Sequence, residues 1–242
     1  MSLSLPAVDE KLSIAHQAFL SWRRLPQAER GAQVKKLARL LIARREELAR
    51  NITQGMGKLP REALREVDRC LRACEAMPDL AAQYLANESV ITENHKSYIS
   101  YQPLGVILGI TPWNFPLWQV IRFSIPNLLA GNTVVVKPAP NVVSCARQLE
   151  TLFEQAGFAR GVFQHLNVDE AAVEHIIRDA RVQGVALTGS VRAGKAVARI
   201  AGDALKKSVL ELGGSDPFIV LEDADIDLAI QNACAARFMN AG

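Results

Sequence analysis

The residues best suited to chemistry in this 242-residue chain are Asn114, Lys137, Gly189, Ser190 and Glu211, each at or just past the end of an apolar run. Asn114 lies in Thr111-Pro112-Trp113-Asn114-Phe115-Pro116, after the run 105–110. The two prolines stiffen that loop, and a stiff loop holding one amide is a device for binding an oxyanion. The same residues also fit a Pro-rich turn with Trp113 and Phe115 as core anchors. Lys137 closes a second apolar run, before Pro138-Ala139-Pro140, where lysine is often simply solvated. Gly189-Ser190 ends a third run and opens a helix, whose free N–H groups can bind phosphate. The fingerprint Gly-x-Gly-x-x-Gly is absent, so this is no ordinary Rossmann phosphate loop. Glu211 ends a fourth run, before Gly213-Gly214. Partial desolvation there would raise its pKa toward that of a general base; taken alone, a solvated strand-end glutamate is the plainer reading.

The cysteines at 70, 74, 145 and 234 show no framework of short spacings, which speaks against a disulfide scaffold. Cys70 and Cys74 are one helical turn apart but have no His or Cys beside them in sequence, and no metal site is expected. Cys234 sits among Ala233, Ala235 and Ala236 with no adjacent base, which is not the setting of an activated thiol.

Positioning these residues requires alternating strands and helices, and the chain from 104 onward supplies them. Strands are expected at 106–110, 133–137, 162–166 and 184–187, and helices at 117–130, 142–157, 170–180 and 192–205. Short apolar strands alternating with amphipathic helices predict an α/β fold, a parallel sheet with helices on both faces. Such sheets bind ligands beyond the carboxyl ends of their strands, where all the residues above fall. Further on, 209–212 and 218–221 read as strands and 225–239 as a helix.

Upstream, residues 8–86 read as three long amphipathic helices. One carries Ala15, Ala18, Phe19 and Trp22; the next runs from Val34 through Leu41 to Leu48 and breaks at Gly55 and Gly57; the third covers 61–87, with Pro78 as a possible kink. Between the helices and the alternating region, 90–92 and 97–101 read as a hairpin around 93–96.

Composition narrows the classes. A chain 49% hydrophobic can bury a sizeable core, and a net charge of +3 gives no case for nucleic acid. No apolar run reaches membrane-spanning length, the N-terminus does not read as a signal peptide, and a reduced, cytoplasmic setting is expected.

Taken in order, Thr111-Pro112-Trp113-Asn114-Phe115-Pro116, Lys137-Pro138-Ala139-Pro140, Leu187-Thr188-Gly189-Ser190 and Glu211-Leu212-Gly213-Gly214 resemble the aldehyde dehydrogenase superfamily over nearly the whole chain. The stretch 209–220 is most like bacterial NAD(P)-dependent succinate-semialdehyde dehydrogenases. The resemblance implies the family's variant Rossmann domain and oxidation of an aldehyde to its acid through a cysteine thiohemiacetal. It implies that Asn114 donates to the hemiacetal oxygen and that Glu211 is the base activating water.

By the same likeness NAD or NADP is held by Trp113, Asn114, Lys137, Pro138, Ala139, Pro140, Gly189, Ser190 and Leu212. Phe115, Trp118, Gln119 and Arg122 are spaced for one helix face, which in the family lines the aldehyde tunnel. Arg122 matches an arginine used for the far carboxylate of succinate semialdehyde, though a solvated helix face also explains it. Family members specific for NAD often carry glutamate at position 140; Pro140 removes that repulsion, so NADP is permitted. Arg192 could reach a 2′-phosphate or stand exposed on its helix.

The implied organisation is a helical part of the cofactor domain (1–88), an oligomerisation hairpin (89–103), the nucleotide-binding domain (104–212) and the start of a catalytic domain (213–242). The family's nucleophile sits in a stretch like Asn-x-Gly-Gln-x-Cys, and this sequence runs to Asn240-Ala241-Gly242. The likeness is therefore to the front half of such an enzyme, expected to be inactive alone, in a parent that forms a homo-oligomer and acts on a small aldehyde. The competing expectation is a non-catalytic nucleotide-binding module or partner protein.

Overall fold

The computed structural model describes residues 2–93 and 96–241. Four helices come first: α1 (Leu5–Trp22), α2 (Gln27–Ala43), α3 (Arg45–Met56) and α4 (Pro60–Tyr84). Val8, Leu12, Ala15, Phe19 and Trp22 form the buried stripe of α1, the spacing of one helical face. The expected second helix is in fact two. The chain leaves helical geometry at Arg44 (φ −111°, ψ 20°), which lets α2 and α3 each lie against α4. No glycine or proline marks that break, so packing rather than local preference sets it. Gly57 ends α3 with φ +77°, the left-handed geometry that glycine adopts freely. Helix α4 continues through Pro78, whose carbonyl accepts from Gln27 Nε2 at 2.9 Å.

Strands β1 (Glu88–Val90) and β2 (Ser97–Ile99) pair antiparallel as a separate two-stranded sheet. β1 lies two residues before the expected 90–92, and β2 stops short of the expected end at 101; within the expected turn 93–96, Asn94 and His95 lie outside the described residues.

The main sheet contains β3 (Val106–Ile110), β4 (Thr133–Lys137), β5 (Phe163–His165), β6 (Val182–Gly189) and β7 (Lys207–Leu212), all parallel, in the order β5-β4-β3-β6-β7. Helices α5 (Trp118–Leu129), α6 (Val143–Gln155), α7 (Ala171–Arg178) and α8 (Val191–Asp203) connect consecutive strands. The order reverses between β3 and β6, so their carboxyl ends diverge into a crevice.

Alternating side chains divide the core in two. Val134 and Val136 of β4 join α2 to α6 on one face. Val135 joins α1, α7 and α8 on the other. The expected strand at 218–221 is absent: Phe218, Ile219, Val220 and Leu221 are exposed and carry no strand assignment. An apolar run cannot form a strand without a neighbour for its backbone groups. Helix α9 (Ile226–Phe238) follows with no buried residue, capped by Asp225, whose side chain accepts from Leu228 N at 3.0 Å.

Candidate functional site

Two clefts open at the strand ends, one on each face of the sheet, and Ile110 and Leu187 line both. The cleft between α7 and α8 measures about 260 Å³; Val173, Val197 and Ile200 form its apolar side, and Lys137, Glu170 and Arg192 its polar one. Lys137 ends β4 and is only 7% exposed. Burial pushes its ammonium below the ordinary lysine pKa, against the opposing pull of Glu170 and Asp169. Among the described residues it makes no ion pair. A desolvated cation beside an apolar slot fits a ligand with hydroxyl or phosphate oxygens and a flat ring.

The neighbouring positions divide by burial. Pro138 is buried, Ala139 half-buried, and Pro140 exposed as the first residue of a short 3₁₀ turn. Ser190 is the N-cap of α8, its Oγ accepting from Ala193 N at 3.2 Å, so the hydroxyl serves the helix start beside Gly189. Leu212, at the end of β7, lies over Gly194; a Cβ at Gly194 would come 2.8 Å from Leu212 Cδ1.

The opposite cleft, about 200 Å³, is lined by Thr111, Gln119, Arg122, Phe123 and Glu211 among others. Arg122 Nη2 lies 3.1 Å from Glu211 Oε1, and both side chains are partly exposed. Two residues expected to serve the substrate and the water thus meet each other.

Asn114 is held differently. Its backbone carbonyl accepts from Lys58 Nζ at 2.9 Å and from Asn240 Nδ2 at 3.1 Å. Lys58 is ion-paired with Glu66, and both are sealed from solvent. The other oxygen of Glu66 accepts from the amides of Leu117 and Trp118 at 2.9 and 3.0 Å. It therefore caps α5 from a different helix, satisfying donors that no local side chain reaches. The carboxamide oxygen of Asn114 is buried without a hydrogen-bond partner among the described residues.

The expected tunnel face on α5 is not one face. Gln119 and Arg122 turn to the sheet-end cleft. Phe115 faces a third hollow, shared with Arg65, Arg69 and Arg72 of α4. Arg69 stacks on Trp118 at 4.1 Å, and Lys58 lies over Phe115 at 4.0 Å. Trp113 is half exposed. No hydrogen bond or ion pair joins Asn114 to Glu211 among the described residues. Sequence reasoning missed Lys58, Glu66 and Glu170. The first two carried a signal only in retrospect, an amphipathic-helix glutamate and a lysine flanking the glycine that ends α3.

Three of the four thiols are set against activation by burial. Cys70, Cys74 and Cys145 are buried and Cys234 is exposed on α9. Burial raises the Cys70 thiol and pushes Cys74 and Cys145 up to about 12, the reverse of activation. Among the described residues no three His, Cys, Asp or Glu side chains gather as a metal site, and no helix is long and apolar enough to cross a membrane.

The sequence profile described as "Aldehyde dehydrogenase family" matches residues 3–242. The probable succinate-semialdehyde dehydrogenase (NADP+) of Synechocystis sp. is 48% identical over 97% of this chain and 52% of its own length. The succinate semialdehyde dehydrogenase (NAD(P)+) Sad of Escherichia coli is 45% identical over 97% of this chain and 51% of its own. The crystal structure of succinic semialdehyde dehydrogenase from Streptococcus pyogenes, in complex with NADP+ as the cofactor, superposes with a TM-score of 0.95 at 37% identity. It covers 100% of this chain and 53% of that one. The chain spans about half the length of the curated relatives it matches.

Proposed function

Because the chain belongs to the aldehyde dehydrogenase family, we propose that it supplies the NAD(P)-binding part of an aldehyde oxidation whose substrate is succinate semialdehyde. The observation that carries this reading is Lys137, desolvated and without an ion-pair partner among the described residues, in the cleft at the sheet's reversal point. In this reading Val173 and Val197 flank the adenine, Lys137 holds ribose hydroxyls, and the start of α8 at Gly189-Ser190 faces the pyrophosphate. Pro140 adds no negative charge, and Arg192 at the same cleft would favour a 2′-phosphate. Glu170 opposes that preference. The bound coenzyme supplies the hydride acceptor.

The remaining roles fall to the loop of Asn114 and to Glu211. The Asn114 amide donates to the oxygen that becomes negative as a thiolate adds to the aldehyde, and Glu211 takes the proton of the water that hydrolyses the thioester. Gln119 and Arg122 line one side of the aldehyde's approach in this reading, with Arg122 for its far carboxylate, and Phe115 and Trp118 border it on the α4 side. No thiol of this chain is suited to the attack, so the chain alone binds nucleotide without turning over. In this reading the chain comprises a helical part of the cofactor domain (1–88), an oligomerisation hairpin (89–103), the nucleotide-binding domain (104–212) and the start of a catalytic domain (213–242). The hairpin β1–β2, with Val90, Tyr98 and Ile99 exposed, is the surface for self-association, in a reducing cytoplasmic setting that suits the free cysteines.

The test is a titration of the 242-residue chain with NAD+ and NADP+, followed by tryptophan fluorescence because this reading places Trp113 beside the coenzyme. Saturable binding with no nicotinamide reduction on adding succinate semialdehyde is expected. Failure of both nucleotides to bind overturns the proposal. The second reading, a nucleotide-binding module with no catalytic partner, is favoured by the burial of Cys70, Cys74 and Cys145; it predicts that added aldehyde leaves the nucleotide affinity unchanged.

A further inference from the structure

The guanidinium of Arg122 and the carboxylate of Glu211 meet across one cleft, 3.1 Å apart at their closest polar atoms. On the proposed function they have separate tasks, one to hold the far carboxylate of the aldehyde and the other to take a proton from water. In the pair each task is blocked. A carboxylate lying against the guanidinium is not aimed at a water, and a guanidinium already facing one carboxylate has part of its donor fork engaged.

We infer that Glu211 occupies the place of the substrate's far carboxylate on Arg122, and that a carboxylate-bearing aldehyde releases the base by displacing it. This rests on the site reading given above. Three observations support the exchange. The groups share a cleft of about 200 Å³ with Gln119 and Thr111, so an incoming acid would reach the same guanidinium. The Glu211 side chain has no other ion-pair or hydrogen-bond partner among the described residues. Its backbone is fixed in register against Thr188 of β6 while its side chain stays partly exposed, so the carboxylate can leave without the strand moving.

Exposed ion pairs are weak, which is what a displaceable latch requires. A buried pair would hold the base against any small acid. The consequence is selection by deployment as well as by affinity. An aldehyde without a second acid group leaves Glu211 on Arg122, whereas a semialdehyde frees it, so the acid group acts beyond its own binding contact.

The probe is succinate, titrated calorimetrically into the chain with and without saturating NADP+, in the wild type and in Glu211→Gln and Arg122→Gln. Removing the internal competitor should tighten succinate binding by about two- to five-fold in Glu211→Gln, the range that a weak exposed pair can withhold. Arg122→Gln should lose succinate binding. Succinamide, the neutral analogue, should show no Glu211→Gln effect. Unchanged or weaker succinate binding in Glu211→Gln, wild-type binding in Arg122→Gln, or no succinate binding to any of the three overturns the exchange. The NADP+ titration of the same samples verifies that the variants fold. Loss of nucleotide binding by the wild type counts against the proposed function instead, while the nucleotide-free succinate arm still decides the exchange.

Discussion

Lys58 and Glu66 form an ion pair whose side chains are 1% and 0% exposed, directly behind the loop that carries Asn114. Lys58 holds the carbonyl of Asn114, and Glu66 holds the first amides of α5. One pair therefore fixes both ends of the segment from Asn114 to Trp118. Such a pair is worth having only if both members are fully partnered.

Lys58→Met leaves the Glu66 carboxylate buried without its cation, and should lower unfolding stability by about 3–5 kcal/mol, the usual penalty for half of a buried pair. Combining it with Glu66→Gln, which keeps an acceptor for Leu117 N and Trp118 N, should cost less than the sum of the two single changes. Urea unfolding followed by tryptophan fluorescence measures both. An additive double variant would mean that the two residues act independently.

Lys137 pulls the other way. Its burial depresses its pKa below 10.5, so the charged form weakens the ligand-free fold at neutral pH. Lys137→Met should raise the urea midpoint at pH 7, and the gap from wild type should narrow as pH rises from the depressed folded value toward 10.5. The same change should weaken NADP+ binding by about ten-fold or more, the loss of a charged hydrogen bond. A variant both less stable and unchanged in nucleotide affinity would remove Lys137 from the site.

The sheet was legible because apolar runs bounded by Thr111, Lys137, Gly189 and Glu211 leave little choice of element. The observed strands β3 and β4 begin and end where the sequence put them. Features set by partners distant in sequence were not legible. Lys58 and Glu66 are ordinary charged residues until α4 folds against the Asn114 loop. The break at Arg44 lies in helix-favouring sequence and exists because α2 and α3 both pack on α4. Residues 218–221 have strand composition but no strand beside them. On α5 the spacing joined Trp118 to Arg122, whereas Arg69 draws Trp118 toward α4 and Glu211 faces Arg122.

Asp179 and Arg181 make a pH-dependent clamp between α1 and the start of β6. Arg181 Nε donates to Asp179 Oδ1 at 2.8 Å, and its Nη1 donates to the Asp9 carbonyl at 3.1 Å. The hydrogen bond from Arg181, outweighing burial, holds the Asp179 carboxyl below 3.8. A depressed folded pKa gives stability that is complete above 3.8 and is lost as pH falls through the folded value. Arg181→Gln should therefore be less stable than wild type at pH 7, with the difference closing on acidification below 3.8. Urea midpoints across that range test it; a difference that persists at the acid end would assign the loss to the Asp9 and Ser13 contacts instead.

Gly109 matters through what lies above it. A Cβ there would meet the Phe123 ring well inside van der Waals contact, 2.6 Å from Cδ1. Phe123 lines the cleft of Arg122 and Glu211, so the absent side chain of β3 is what lets α5 approach the sheet and bring Arg122 within reach of β7. Gly109→Ala should destabilise by about 1–3 kcal/mol through overpacking. If the clash with this ring is the cause, Gly109→Ala placed on Phe123→Leu should cost less than Gly109→Ala alone. Urea unfolding of the four proteins in that cycle gives the coupling, and zero coupling would locate the strain elsewhere than at this ring.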